Sequence, residues 1–157
     1  MRNDQGGTRF ALLFLFPFGA TILLDQSSKV WALGNLSRLE PMVLISGLLQ
    51  LRLVENEGIA FGLFSSPVAL VLSGGALLML LVLALTWKEV RGAPLFPVAL
   101  GLEVGGGASN LLDRLLRGAV VDFIEIPYWP VFNLSDVAVV AGAVMVLWLG
   151  LKGPKGG

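Results

Sequence analysis

The chain has 157 residues, 55% hydrophobic and 14% charged, with a mean hydropathy of +0.82 and a formal net charge of zero. A soluble domain carries about 25% charged residues, so this chain lacks the polar surface to stay in water and reads as an integral membrane protein. Neutrality argues against nucleic acid, where a basic face is expected. The absence of histidine excludes Ser-His and Cys-His catalysis and the HExxH zinc motif, and the absence of cysteine excludes a thiol nucleophile or a disulfide. Acid–base chemistry therefore falls to carboxylates, lysine or the single tyrosine, Tyr128.

A short polar head with Arg2 and Arg9 precedes an apolar run from Phe10 to Leu24. Basic head and short run fit a signal peptide, but no small-x-small cleavage site follows Leu24. An uncleaved helix over about 10–33 is expected instead, placing Asp25 and Lys29 at i and i+4 near the outer interface. A surface ion pair explains that spacing at least as well as a direct role. The stretch 34–66 is no span. Leu49, Leu51 and Leu53 alternate with Gln50 and Arg52, which predicts a half-buried strand. Asn56-Glu57-Gly58 then reads as a turn leading to an amphipathic segment on the membrane surface.

Residues 68–87 are uncharged throughout, long enough to cross a bilayer, and end at an interfacial Trp87. A third span over 95–112 is interrupted by Glu103, Asn110 and glycines. Glu103, Gly106 or Gly107, Asn110, and Asp113 or Arg114 fall at helical spacing on one face. Lipid would not solvate that stripe, so it must look into a bundle. Gly101 and Gly105 make a small-xxx-small pair, the usual mark of close helix packing. The fourth span is predicted over 134–151.

Four spans put both termini on one side. Arg2, Arg9, Lys88, Arg91, Lys152 and Lys155 crowd short segments on that side, the density expected of a cytoplasmic face. Segments 34–66 and 113–133 then lie outside the cytoplasm, and with them a concentration of polar groups between Gly105 and Asp136. Asp122, flanked by Val120, Val121, Phe123 and Ile124, looks like part of a buried strand, where desolvation raises a carboxyl pKa. Asp136 fits the first turn of a helix capped by Asn133. Two acids converging from either side of one short loop could also share a proton, one activating water while the other protonates a leaving group.

DQSSK (Asp25–Lys29), NEGIAFG (Asn56–Gly62), GGGASNLLDR (Gly105–Arg114), GAVVDFIE (Gly118–Glu125) and FNLSD (Phe132–Asp136) resemble, in order and spacing, the successive motifs of the lipoprotein signal peptidases, or signal peptidase II. That resemblance covers nearly the whole chain. It implies an all-α membrane fold in a single domain over 1–157: four transmembrane helices, a small extracytoplasmic β-cradle and a short surface helix. It implies an aspartic endopeptidase that cuts a prolipoprotein just before its diacylglyceryl-cysteine, with Asp122 and Asp136 as the catalytic pair. Asn56, Asn110, Arg114 and Asn133 match polar positions lining the substrate site, whereas Asp25, Lys29, Gly58 and Asp113 match positions expected to be structural. The chain departs from the pattern at Ser109, where glycine is usual, and Ser135, where alanine is usual. Glu103 is a charge where an aliphatic residue is expected.

The implied protein is a monomer in the bacterial inner membrane, in contact with membrane lipid, with no cofactor, no metal and no nucleic-acid partner. Two other readings compete. Asp113-Arg114 with Gly118-x-x-x-Asp122 echoes the tail of the metal-dependent CDP-alcohol phosphatidyltransferase motif. That motif wants a further aspartate where the chain has Ile126, and a glycine where it has Arg114. A small four-helix transporter could instead line a pathway with Glu103, Asn110 and Arg114.

Overall fold

The computed structural model describes residues 3–56 and 92–152. The span predicted over 68–87, the surface segment beyond Asn56, and Gly58 lie outside the described residues. Among the described residues the elements run α1 (Asn3–Asn35), β1 (Met42–Ile45), β2 (Leu49–Asn56), α2 (Phe96–Arg117), β3 (Val120–Glu125) and α3 (Leu134–Leu151). Two of these helices, over Gly6–Asn35 and Leu134–Leu151, are long and apolar enough to cross a membrane. The acids, arginines and glycines of α2 make it more polar than either.

The 33 residues of α1 run unbroken from the apolar stretch through Asp25 and Lys29. At 1.5 Å per residue the helix exceeds the roughly 30 Å of a bilayer core. Pro17 lies inside α1, buried against α2. Such a proline is tolerated in a span because neighbouring helices re-satisfy the backbone. On α2, Gly101 and Gly105 face α1 so closely that a Cβ at Gly101 would stand 2.5 Å from the Phe14 carbonyl oxygen. One at Gly105 would lie 2.8 Å from that of Phe18. The small-xxx-small pair is therefore a packing surface, as its spacing suggested. The next face of α2 meets α3, with Gly106 against the Ser135 carbonyl and Glu103 Cγ in the notch left by Gly142. Glu103 Oε1 is buried with no hydrogen-bond partner among the described residues, which do not explain why an acid stands there.

The polar end of α2 differs from the expected span of 95–112, because the helix continues through Asp113 to Arg117. Asp113 is fully buried and paired, so it does not force the helix to stop. Gly118 stops it, with φ +80 and its N–H on the Arg114 carbonyl at 3.0 Å. That left-handed conformation favours a residue without Cβ.

The chain then enters an antiparallel three-stranded sheet in the order β1–β2–β3. The strand expected over Leu49–Leu53 is longer, running on to Asn56, which pairs with Val120 instead of opening a turn. Leu53, supported by Leu51, packs with Ala32 of α1 and with Val121 and Phe123 of β3, anchoring the sheet on the helix end. The polar alternates Gln50 and Arg52 both bind Glu125. A second cluster of Phe96, Ala99, Val146 and Leu149 joins α2 to α3 further along. The outer helix faces expose Leu12, Phe16, Leu23, Val140, Val144 and Leu147, the apolar surface that lipid requires.

Candidate active site

The site lies where the sheet meets the ends of the three helices. Asp122 is central in β3 and only 2% exposed, held between the buried Val121 and Phe123. Register places Val54 opposite Asp122 and Asn56 opposite Val120, so the Asn56 side chain reaches diagonally across the strand pair. Its Nδ2 donates to Asp122 Oδ2 at 3.0 Å. After β3 the chain turns through Tyr128, at φ 64, and returns so that Phe132 exchanges backbone hydrogen bonds with Ile124. This return sets Asn133 beside β3 and starts α3.

Asn133 caps α3. Its Oδ1 accepts the Asp136 N–H at 3.0 Å, and its own N–H donates to Asp136 Oδ2 at 3.2 Å, a reciprocal capping box. The capping expected of FNLSD is therefore made, yet it occupies only part of each side chain. Asn133 Nδ2 donates to Asp122 Oδ1 at 2.7 Å, and Asp136 Oδ1 accepts from Asn110 Nδ2 of α2 at 2.9 Å. One asparagine thus touches both acids, and each acid accepts from two side-chain or backbone donors.

Burial pushes Asp122 up to about 6; the nearby charge of Asp136 acts the same way, while donation by Asn56 and Asn133 and the Lys29 charge oppose it. A carboxyl so placed carries a proton far above the usual aspartate range. Beside a second carboxylate, it supplies a proton donor and a proton acceptor in one low-dielectric pocket.

Beneath the pair sits a second polar cluster. The surface ion pair weighed for Asp25 and Lys29 does not exist: both side chains are fully buried, their oxygen and nitrogen 2.7 Å apart. Partners from other helices make this burial tolerable. Asp113 Oδ2 lies 2.8 Å from Lys29 Nζ and also accepts the Val121 N–H, tying α1 to β3. Asp25 Oδ1 accepts the Ser135 N–H at 2.9 Å, tying α1 to α3. The structural role expected of Asp25, Lys29 and Asp113 is thus a buried network joining three helices to the sheet.

Ser109, the departure from glycine, belongs to this network: its hydroxyl donates to Asp25 Oδ2 at 2.7 Å and accepts from Gln26 at 2.9 Å. Gln26 was not singled out from the sequence. It binds Ser109 and Asp113, and its place one residue after Asp25 was the only available signal. The Ser135 hydroxyl is buried with no hydrogen-bond partner among the described residues.

Four residues were expected to line the substrate. The amides of Asn56, Asn110 and Asn133 rest on the two carboxylates. Arg114 is half-buried one helical turn past Asn110, its Nη1 3.5 Å from the Asn110 carbonyl. Glu125 stands apart from the pair, accepting from Arg52 Nη2 at 2.8 Å and Nε at 3.0 Å. Beyond it opens a groove of about 540 Å³ between the β1–β2 turn and the 126–130 loop, lined by Ile45, Leu48, Tyr128 and Trp129 among others. Among the described residues, no three carboxylates cluster in a way that could hold a metal ion.

This geometry has relatives. Two solved structures of a bacterial membrane enzyme share the fold at TM-scores of 0.65 and 0.64, each 23% identical and each covered for about nine-tenths of both chains. A lipoprotein signal peptidase of Syntrophomonas wolfei is 38% identical over 142 residues, spanning 90% of this chain and 95% of that one. Another from Chlorobium phaeobacteroides is 40% identical over 151 residues, spanning 87% and 94%. The family model for signal peptidase (SPase) II matches residues 18–152. With that match running from α1 through both acids to the end of α3, the chain belongs to the signal peptidase II family of aspartic-type membrane proteases.

Proposed function

We propose that this protein removes signal peptides from prolipoproteins, cutting just before the diacylglyceryl-modified cysteine, with Asp122 and Asp136 as the catalytic pair. The supporting observation is that Asn133 holds both carboxylates at the seam of β3 and α3, one of them buried enough to stay protonated near pH 6. Asp136, as carboxylate, takes a proton from water while the oxygen attacks the scissile carbonyl. Asp122, as acid, supports the developing oxyanion. Collapse of the tetrahedral intermediate breaks the C–N bond, and the departing nitrogen takes up a proton from the pair. The products are the free signal peptide and a lipoprotein beginning at its modified cysteine. Arg114, one helical turn past Asn110, holds the substrate backbone or lipid ester through its fork of donors.

The catalytic end faces outside the cytoplasm, both termini lie inside, and the enzyme works as a monomer in the inner membrane. The proposed count of four spans includes the stretch 68–87, which by length and composition is apolar enough to cross a bilayer. The test is incubation of the purified protein with a diacylglyceryl-modified prolipoprotein and location of the cut by mass spectrometry. A cut at any other bond, or none, overturns the reading.

A further inference from the structure

Lys29 is fully buried in α1. A lysine ammonium has three N–H donors and no acceptor. Three oxygens surround this one: Asp25 Oδ2 at 2.7 Å, Asp113 Oδ2 at 2.8 Å and Asn110 Oδ1 at 2.8 Å. The first two are structural ion pairs that share the one ammonium. The third is a neutral amide whose other end points at the catalytic pair.

That third contact fixes the Asn110 amide. Its oxygen takes the lysine donor, and Asn133 Nδ2 adds a second at 3.2 Å. The amide nitrogen must therefore face the other way, where it donates to Asp136 Oδ1 at 2.9 Å. A flipped amide would set N–H against ammonium on one side and oxygen against carboxylate on the other. Both mismatches would lie in part-buried surroundings, where unmet polar groups are costly.

We propose that Lys29 is a positioning residue for the peptidase reaction, acting through Asn110 to keep a donor on Asp136. The inference rests on the reading of Asp122 and Asp136 as the catalytic pair. The charged groups in the network that borders that pair are Asp25 and Lys29 from α1 and Asp113 and Arg114 from α2. Of the two cations, Lys29 is the one bonded to Asn110 through the amide oxygen.

The test uses the full-length enzyme in detergent. Lys29→Met alone would strand two buried acids, so it is combined with Asp25→Asn. Asp113 keeps Arg117, Gln26 and the Val121 N–H in that variant, and the pair removed carries no net charge. Expected is a folded protein whose kcat falls by about 10- to 100-fold, as loss of a supporting partner commonly costs. KM should stay within about twofold, and the pH profile of kcat should move by about half a unit or more as the pair loses an oriented donor. Asp25→Asn alone keeps the lysine–asparagine bond and should stay within about threefold of wild type.

If the double variant does not fold, Lys29→Arg is read for the same split, since it keeps the charge but replaces a three-way head with a planar fork. A wild-type kcat with an unmoved pH profile, in whichever variant folds, overturns the positioning role and leaves Lys29 as scaffold. Asp122→Asn is assayed alongside. If it were active, the reading of the pair would fail, a result distinct from failure of the lysine proposal.

Discussion

Asn133 is asked to do two things, and substitutions can separate them. It caps α3 through Oδ1 and holds Asp122 through Nδ2. Asn133→Asp keeps a good cap, since aspartate serves there as well as asparagine. It also replaces a donor to Asp122 with a third carboxylate. Peptidase activity should be lost; with the cap kept, the stability cost should be that of an acid buried beside two others, and it should shrink as pH falls and the acids protonate. Equal activity of the two forms would show that the amide donor is dispensable. Asp122 gives a second prediction, with a defined sign. Its pKa is raised by burial to about 6 in the folded protein, against about 3.9 in an unfolded chain. A group raised on folding contributes its stability below the unfolded value and loses it as pH climbs through the folded value. Asp122→Asn should therefore match wild type in unfolding free energy near pH 4 and exceed it at pH 8, by about 1–3 kcal/mol. The same variant and Asp136→Asn should each abolish cleavage, while Glu125→Gln, outside the pair, should keep measurable activity. The wild-type rate should follow a bell-shaped pH dependence, its active form carrying one proton between the two acids.

Helix α2 carries the site's geometry through its glycines. A Cβ at Gly106 would stand 2.6 Å from the Ser135 carbonyl oxygen and 2.7 Å from Val139 Cγ2, in the first turns of α3. Gly106→Ala must therefore move the end of α3 that bears Asp136. We expect a loss of about 1–3 kcal/mol from overpacking and a larger proportional loss of activity, because catalytic groups tolerate little displacement. Among the described residues, nothing lies within 4 Å of a would-be Cβ at Gly107. Gly107→Ala, one position along, should be neutral or stabilising by about 0.5–1 kcal/mol, since it removes a flexible residue from a helix. Unfolding curves and lipopeptide turnover for the two variants check both statements. Equal effects would mean that the close approach of α2 and α3 does not govern the site.

At the scale of the molecule, two helices suited to the bilayer flank a more polar one among the described residues, and the three-stranded sheet gathers at the ends near the acids. The arrangement makes sense only if that end emerges from the hydrocarbon core, because sheet edges are not left exposed to lipid. Reporter fusions after Gly157 and within Arg38–Gly47 should therefore report opposite sides of the membrane, the first cytoplasmic. The same side for both would contradict the proposed topology and, with it, an active site outside the cytoplasm.

The sequence by itself determined the class, since a chain with 55% hydrophobic and 14% charged residues cannot coat itself for water. It determined most of the local structure as well: the bounds of α3 from an unbroken apolar run behind an Asn cap, and a buried strand around Asp122 from the valines and phenylalanine beside it. Those features follow from neighbours within a few residues, which periodicity and composition report directly. Which polar residues share a partner follows from long-range contact, and only the tertiary structure decided it. Asp25 and Lys29 read as a surface pair because one helix turn shows i and i+4 but not the helix packed against it. Asp113 and Asn110, more than 80 residues away, turn them into a buried centre. Ser109 looked like a small departure from glycine until Asp25 and Gln26 were seen to meet its hydroxyl. A buried polar group in a membrane bundle must find its donors or acceptors inside the protein, and in this chain those partners come from other elements.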